Sequence, residues 1–263
     1  MTTSNRFAHI NRYFDKIYVI NLSRAEQRRD SIAKHFEGLN YVFWVATDRL
    51  QLDQSVLQDA QKYDDLAHKR IKRTHRSMTL GEYACAHSHL SIYADAVKHN
   101  FQRILIFEDD AVPVLDRLSN FDKQLSSLPD DWDCVLFDYY DAHFSSALTA
   151  LKQAMYKVFH FLNISNWQNV PLDLINNMSM RHYNDDFYIP GRFSGSHAYA
   201  LSLKAARAFA EYQTPIKLQA DRIFYYYLQN TDLKQFAAKR PMFTRGELAQ
   251  TSFIGLSHSK PAQ

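Results

Sequence analysis

The stretch Arg103–Val112, RILIFEDDAV, decides the fold, because four apolar residues run directly into three acids. A short continuous apolar run such as Ile104 to Phe107 is typical of a buried strand in a largely parallel sheet. The acids Glu108, Asp109 and Asp110 follow at its carboxyl end, where open α/β sheets place their ligands. Adjacent carboxylates repel one another unless a cation shares them. The stretch therefore predicts a divalent metal site for a diphosphate, with a solvated acidic turn as the alternative.

Strand and helix patterns alternate on both sides of this stretch. The other predicted strands are residues 16–22, 41–46, 133–138, 197–201 and 233–237. The predicted helices are residues 24–36, 51–63, 79–98, 115–128, 203–212 and 220–230. Such alternation indicates an α/β protein with a mostly parallel central sheet flanked by helices. A length of 263 residues suits one large domain, or a core with a smaller cap.

Residues 139–190 break the alternation. Apolar residues recur there at helical spacing, at Leu148, Leu151, Met155, Val158, Phe159 and Leu162, with Lys152 and Lys157 off the stripe. Such a helix packs in a core, caps an acceptor site or faces a membrane. Most stripes of this kind pack internally, so the core and the cap are favoured.

Polar residues follow the first two predicted strands. Asn21, Arg24 and Arg28 lie at or just after a strand–turn–helix corner of the kind that binds anions, and they either contact a nucleotide or form a polar turn. Thr47 and Asp48 end the second strand, where an aspartate meets a ribose or base, or simply closes a turn. No glycine fingerprint of dinucleotide folds follows the first strand, which argues against NAD binding.

The helix from residue 79 opens with Thr79-Leu80-Gly81-Glu82, the pattern of a capping box. His87 and His89 are two residues apart and cannot share a helical face, so a metal-binding pair on this helix is not expected. Ser88 and His89 either satisfy buried polar groups or contact a donor substrate.

The basic stretch KRIKRTHR precedes this helix and contributes Lys69, Arg70, Lys72, Arg73 and Arg76. It is compatible with a solvated face, a phosphate site or an anionic membrane surface. With 31 basic and 28 acidic residues the net charge is only +3, and no aromatic residues interleave the stretch, so we expect no nucleic-acid partner.

Cellular location is predicted from what the sequence lacks. The two cysteines, Cys85 and Cys134, have no zinc or CxxC spacing, which suits a reduced compartment. The first residues have no signal-peptide pattern, and no apolar run approaches the roughly 18 residues that span a bilayer. We therefore expect a cytoplasmic protein, peripheral on the inner face of the cytoplasmic membrane through the basic stretch.

Five stretches together resemble glycosyltransferase family 25, the group of lipooligosaccharide galactosyltransferases and collagen galactosyltransferases. They are IYVINLSRAEQRRDSI, TLGEYACAHSHLSIY, ILIFEDDAVP, GSHAYALS and LQADRIF, in family order along most of the chain. The resemblance implies a GT-A-like, Rossmann-like fold over residues 1–263 as a single catalytic domain. Residues 139–190 match least and would form a variable helical and loop insertion near the acceptor side.

The resemblance also implies inverting transfer of a sugar, most often galactose, from a UDP-sugar donor to a lipid-linked oligosaccharide acceptor, with Mn²⁺ or Mg²⁺ as cofactor. Asp110 would be a metal ligand, joined by His258 from the tail, and Asp221 would be the base that accepts the proton of the acceptor hydroxyl. Asp221 alone could equally be a helix cap. The residues expected to bind the donor are Asn21, Arg24, Arg28, Thr47, Asp48, Ser88, His89, Glu108, Asp109, Gly195, Ser196 and His197.

Two other classes of function remain open. A metal-dependent nucleotide-sugar hydrolase would use the same acids to activate water, and a non-catalytic module would only bind. If Asp221 is not the base, Glu82 and Asp185 are the next candidates.

Overall fold

An eight-stranded mixed sheet forms the centre of the molecule in a computed structural model that describes residues 6–250 and Phe253. The strands are β1 (Lys16–Asn21), β2 (Val42–Val45), β3 (Arg103–Glu108), β4 (Ala111–Pro113), β5 (Cys134–Tyr140), β6 (Arg181–His182), β7 (Phe187–Ile189), β8 (Ser194–Ser202), β9 (Gln235–Ala238) and β10 (Phe243–Arg245). The large sheet has the order β2-β1-β3-β8-β5-β9-β7-β6, and β4 and β10 form a separate antiparallel pair.

The sheet is parallel on one side and mixed on the other. β2, β1 and β3 run parallel, and β9 runs parallel to β5, as the alternating pattern predicts. β8 lies between β3 and β5 and runs against both. The reason is the excursion of residues 141–193, which leaves from the end of β5 and returns beside it, with Tyr140 opposite Ser194. The start of β8 therefore meets the carboxyl ends of β3 and β5.

Helices cover both faces of the sheet, which confirms the predicted α/β class. They are α1 (Ala8–Tyr13), α2 (Glu26–His35), α3 (Asp65–Lys72), α4 (Leu80–His99), α5 (Leu115–Leu118), α6 (Phe121–Leu125), α7 (Ala147–Phe161), α8 (Leu172–Asn176), α9 (Leu203–Tyr212) and α10 (Ile223–Tyr226). The capping box of α4 is complete. The Glu82 amide donates to Thr79 Oγ1 at 3.2 Å, and the Thr79 amide donates to Glu82 Oε2 at 2.9 Å.

Two hydrophobic clusters hold the sheet between these helices. On one face, the rings of Phe36, Phe107 and Phe243 meet with centroids 4.6–6.1 Å apart. On the other face, α4 and α9 pack through small and branched side chains such as Ile92 and Ala205. Both faces of β3 are thus buried, which explains its continuous apolar run.

Three predicted helices are wrong in form, and one of them, residues 220–230, holds only the short α10 and a 3-10 turn, Leu228–Asn230, with Asp221 ahead of both. Residues 51–63 hold short 3-10 turns, because Asp48 and Asp53 accept the nearby backbone N–H groups of Leu50 and Ser55 and replace a helical ladder. Residues 115–128 form α5 and α6 separately, with the break at residues 119–120.

The apolar stripe of residues 148–162 does lie on a helix, α7, but the core position favoured for it is wrong. The structure describes α7 throughout, and none of its residues is buried. In the described part of the chain, no helix is both long and apolar enough to cross a bilayer.

The aromatic cluster gives a stability prediction. Phe36→Ala removes a fully buried ring that contacts several others, and we expect the free energy of unfolding to fall by about 3–5 kcal/mol. Phe161→Ala removes the same side chain where it is 69% exposed, and the change should stay within about 0.5 kcal/mol. Urea unfolding of both variants measures the difference. Equal losses would contradict the assignment of the core.

Candidate active site

A cluster of possible metal ligands lies where β3 ends and β8 begins. Glu108, Asp110 and His197 each offer one ligand atom, and these atoms all lie within 4.8 Å of one another. The pairing of β3 with β8 creates the cluster, because Phe107 lies opposite Ala198 and Glu108 is therefore next to His197. Asp110 Oδ1 is buried and has no hydrogen-bond partner among the described residues. A buried acceptor without a partner needs a cation or a donor to offset its lost hydration.

A carboxylate lies at ion-pair distance behind His197, with neither facing atom in a hydrogen bond among the described residues. Its Nδ1 lies 3.2 Å from Asp138 Oδ2 on β5, and its ring stacks on Tyr140. Burial opposes the charged imidazolium, but Glu108, Asp138 and Asp110 outweigh it and raise the pKa of His197 to about 9. Metal-binding histidines usually have such a carboxylate on the second ring nitrogen, which leaves the first for the metal.

Glu108 lies in the same electrostatic environment. Burial, together with the charges of Asp110, Asp109 and Asp221, raises its pKa to about 7 against the opposing effect of His197. Two carboxylates and an imidazole fit a divalent cation. The nitrogen ligand suits Mn²⁺ better than Mg²⁺, which prefers oxygen alone.

Asp109 points away from this cluster. It accepts hydrogen bonds from Asn21 Nδ2 at 2.9 Å and from Arg28 Nη1 at 2.5 Å. Burial raises the pKa of Asp109, and both partners oppose that rise. Asn21 also accepts from Arg29, so its amide is occupied on both sides. Asp109 and Asn21 thus join the ends of β1 and β3.

The predicted nucleotide corner lies at the ends of β1 and β2, and its members contact one another. Arg24 pairs with Asp48 at 2.6 and 3.3 Å, and this hydrogen bond lowers the pKa of the Asp48 carboxyl. The guanidinium groups of Arg24 and Arg28 lie 4.8 and 4.7 Å from the centre of the Phe253 ring. The Thr47 backbone N–H donates to a serine hydroxyl of α4 at 2.9 Å. The side chains of this corner therefore contact one another, and the Phe253 ring lies against the guanidinium groups of both arginines.

Ser88 and His89 lie in the polar core behind the acids. Ser88 Oγ donates to the Ala84 carbonyl. His89 Nδ1 is 2.6 Å from Tyr199 Oη, and its Nε2 is 3.8 Å from Glu108 Oε1. Both residues are only 2% exposed, and burial lowers the pKa of His89 to about 3. Ser88 thus satisfies buried polar groups, whereas His89 contacts Tyr199 through Nδ1 and its Nε2 has no hydrogen-bond partner among the described residues.

Asp221 faces the start of β8. Its Oδ2 accepts from the Gly195 amide at 3.2 Å, and its Oδ1 is 3.5 Å from Arg222 Nε. Gly195 has φ +70°, and a Cβ there would collide with the Tyr140 ring, so glycine is needed for this contact. Ser196, the next residue, has a buried hydroxyl without a partner in the described part of the chain.

Sequence reasoning gave no role to Asp138, and it did not single out Lys72. Its Nζ donates to Gln219 Oε1 at 2.8 Å, and burial and the charge of Arg222 lower its pKa to about 8. Only the charge run signalled it, and a charge run does not reveal which cation turns inward. His258, the other predicted metal ligand, lies outside the described residues.

Neither alternative base fits the role. Glu82 accepts from Arg76, from the Thr79 amide and from Gln219, and these contacts overcome the effect of burial and lower its pKa to about 2. A carboxylate of that pKa is a weak proton acceptor. Asp185 is exposed in the turn between β6 and β7, at the far edge of the sheet.

The basic stretch is also largely occupied within the fold. Lys69 pairs with Asp65, Arg76 pairs with Glu82, and Arg73 lies 3.6 Å from the centre of the Trp167 ring. Two of its five cations, Lys69 and Arg76, are therefore paired with acids, which weakens the predicted attraction of this stretch to a membrane.

Comparison with known proteins places these residues in a family. The family model described as "Glycosyltransferase family 25 (LPS biosynthesis protein)" matches residues 14–224. A "Glycosyltransferase 25 family member" of Anopheles gambiae is 38% identical over 101 residues, 36% of this chain and 16% of that protein. Human "Procollagen galactosyltransferase 2" is 30% identical over 129 residues, 48% of this chain and 20% of that protein.

Other relatives mark the limits of this comparison. Human "Inactive glycosyltransferase 25 family member 3" is 30% identical over 132 residues, 46% of this chain and 21% of that protein. The chain thus spans about a fifth of the length of the curated relatives it matches. A structure of mouse xyloside xylosyltransferase 1 aligns with a TM-score of 0.37 at 10% identity, over 80% of this chain and 66% of that chain.

The family match includes the strand with the three acids, the start of β8 and Asp221, so it covers the whole cluster described above. The chain belongs to glycosyltransferase family 25.

Proposed function

We propose that the protein is an inverting galactosyltransferase that moves galactose from UDP-galactose to a saccharide of a lipid-linked oligosaccharide. One observation carries the proposal: a cluster of two carboxylates and a histidine lies beside a separate carboxylate, Asp221, at the end of the central strands. The family supports a nucleotide-sugar donor and a glycan acceptor. The name of the human relative supports galactose, and the family description supports a lipopolysaccharide-type acceptor.

The residues divide into two roles. Glu108, Asp110 and His197 would hold Mn²⁺, with Asp138 orienting the imidazole. A divalent cation held by these residues would supply positive charge to offset the charge that develops on the leaving diphosphate. The corner of Arg24, Arg28 and Asp48 would hold the rest of the nucleotide.

Asp221 would accept the proton of the acceptor hydroxyl as its oxygen attacks the anomeric carbon. The Gly195 amide and Arg222 fix the orientation of this carboxylate. Inversion requires only one displacement, so no covalent nucleophile is needed. The Asp221 side chain is 23% exposed, which leaves room for contact with an acceptor.

Metal-dependent binding gives the first test. UDP should bind at least about tenfold more tightly with Mn²⁺ than with a chelator, because carboxylate ligands share the cation with the phosphates. Asp110→Asn should remove most of that difference. Asp138→Asn should weaken Mn²⁺ binding by about 10- to 100-fold, the usual effect of losing the carboxylate behind a metal-binding histidine. Isothermal titration calorimetry measures all three quantities.

Asp185→Asn makes the same substitution on the exposed turn between β6 and β7 and should leave these affinities unchanged. Equal UDP affinity with and without Mn²⁺, in protein that transfers sugar, would remove the metal from the proposal. Unchanged Mn²⁺ affinity in Asp138→Asn would argue against His197 as a ligand.

The second test isolates proton acceptance. Asp221→Asn keeps the shape of the side chain and removes its basicity, so transfer should fall by about 10²- to 10⁴-fold while UDP binding stays the same. Transfer of radiolabelled galactose to a truncated lipooligosaccharide measures the rate, and Asp185→Asn is again the control.

The result also separates the competing hypotheses. If Asp221→Asn weakens UDP binding as much as Asp110→Asn does, Asp221 belongs to the donor site. If neither the transfer rate nor UDP binding changes, Asp221 has only a structural role, as the acceptor for the Gly195 amide. Release of free galactose without an acceptor would indicate a hydrolase. Binding of UDP without any turnover would indicate a non-catalytic module, and one human relative is named inactive.

A further inference from the structure

Helix α7 presents its apolar side to solvent. Five side chains at spacings of three and four residues form one continuous stripe, which we call the α7 stripe. Its members and their exposed fractions are Leu148 (62%), Leu151 (68%), Met155 (40%), Val158 (52%) and Leu162 (67%). Phe144, Phe161 and Ile164 add exposed apolar groups at 50%, 69% and 40%. A contiguous exposed patch of this kind marks an interaction site more often than a chance arrangement.

The polar side of α7 is the side that packs on the protein. Gln153 Nε2 donates to the carbonyls of Ile175 and Asn176 at 2.8 and 2.7 Å. Tyr156 stacks on Trp167 with ring centres 4.2 Å apart, and His160 contacts the Trp167 carbonyl. The helix is therefore inverted relative to the usual surface helix, whose apolar face packs inward. Its orientation is fixed by specific contacts.

The segment that carries the α7 stripe has charges of one sign. The sequence has no aspartate or glutamate between residues 142 and 172, while Lys152 and Lys157 lie on the helix off the stripe. An aliphatic stripe with lysines outside it and aromatic rings nearby is the composition of helices that lie in the headgroup region of anionic membranes.

We propose that α7 docks on an anionic lipid bilayer, with the α7 stripe among the acyl chains and Lys152 beside it at the headgroups, while Lys157, on the opposite side of the helix, adds longer-range attraction. With 15 residues the helix is too short to span, so it would lie in the plane of the interface. A second copy of the chain fits less well. Pairing stripe against stripe would bring the lysines of both copies together, with no acid on this segment to offset them.

This inference goes beyond the proposed transfer reaction. Docking itself needs no catalysis, and only its purpose, access to a lipid-linked acceptor, rests on the proposed function. It also replaces the basic stretch before α4 as the membrane contact, since Lys69 and Arg76 of that stretch are paired within the fold.

Sedimentation with vesicles tests the proposal on the full chain. The wild-type protein should bind vesicles of phosphatidylglycerol and phosphatidylethanolamine, and bind phosphatidylcholine vesicles at least about tenfold less, since the lysines lack their counter-charge there. Leu151→Asp should reduce binding to the anionic vesicles by about tenfold or more, because a carboxylate replaces a side chain that would enter the bilayer. The thermal midpoint should not change, because Leu151 is 68% exposed.

Leu115→Asp is the matched control. It makes the same substitution at a leucine that is 51% exposed on α5, outside the α7 stripe, and vesicle binding should stay within about twofold. The double substitution Lys152→Glu and Lys157→Glu should remove the preference for anionic vesicles.

Several results would overturn the proposal. One is Leu151→Asp protein that binds anionic vesicles as wild type does. Another is a wild-type dimer that Leu151→Asp converts to a monomer, with no vesicle binding, since that result would assign the stripe to a second copy. UDP binding with Mn²⁺ should be the same in the wild type and in Leu151→Asp. If neither protein binds UDP, that result counts against the proposed function and not against membrane docking.

Discussion

Repulsion between carboxylates is the constraint on which the site depends. Burial and the nearby charges of Asp110, Asp109 and Asp221 together raise the pKa of Glu108. The fold offsets this cost with cations supplied from other elements: Arg28 from α2 beside Asp109 and Asp110, His197 from β8, and Arg222 beside Asp221. Asp110 Oδ1 is among the buried atoms that keep no partner in the described part of the chain, and a cation bound beside it would offset its lost hydration.

The antiparallel insertion of β8 is what makes this arrangement possible. If β8 ran parallel to β3, its start would lie at the opposite edge of the sheet, and His197 could not reach Glu108. Because β8 also pairs with β5, the same insertion places Asp138 behind His197 and Tyr140 against its ring. Gly195 then lets the backbone turn close to Tyr140 and present its amide to Asp221. The candidate metal cluster and the candidate base therefore share a single strand as their support.

Local signals in the sequence were enough for the strand that ends in acids and for the capped helix α4, because each is determined by neighbouring residues. The roles of His197 and Asp138 could not be predicted, because they depend on a register between strands far apart in sequence. Lys72 and Arg76 lie four residues apart in one charge run, yet one turns toward Gln219 and the other pairs with Glu82. The stripe of α7 was visible in the sequence, but its direction was not. A hydrophobic period shows that a face exists, and only tertiary contacts such as those of Gln153 show which way it points.

The excursion of residues 141–193 links the two surfaces on which function is proposed. It leaves the sheet just after Asp138 and Tyr140, carries α7, and returns three residues before His197. The two ends of the excursion therefore adjoin the residues that support the candidate metal cluster. Helix α7 itself is held by polar contacts to Trp167 and to the end of α8. A bilayer held by the α7 stripe would have its position set relative to the site by these same anchors. Selection of a lipid-linked acceptor would then depend on the height of the saccharide above the membrane as well as on the residues that contact it, since only sugars at the right distance could reach Asp221.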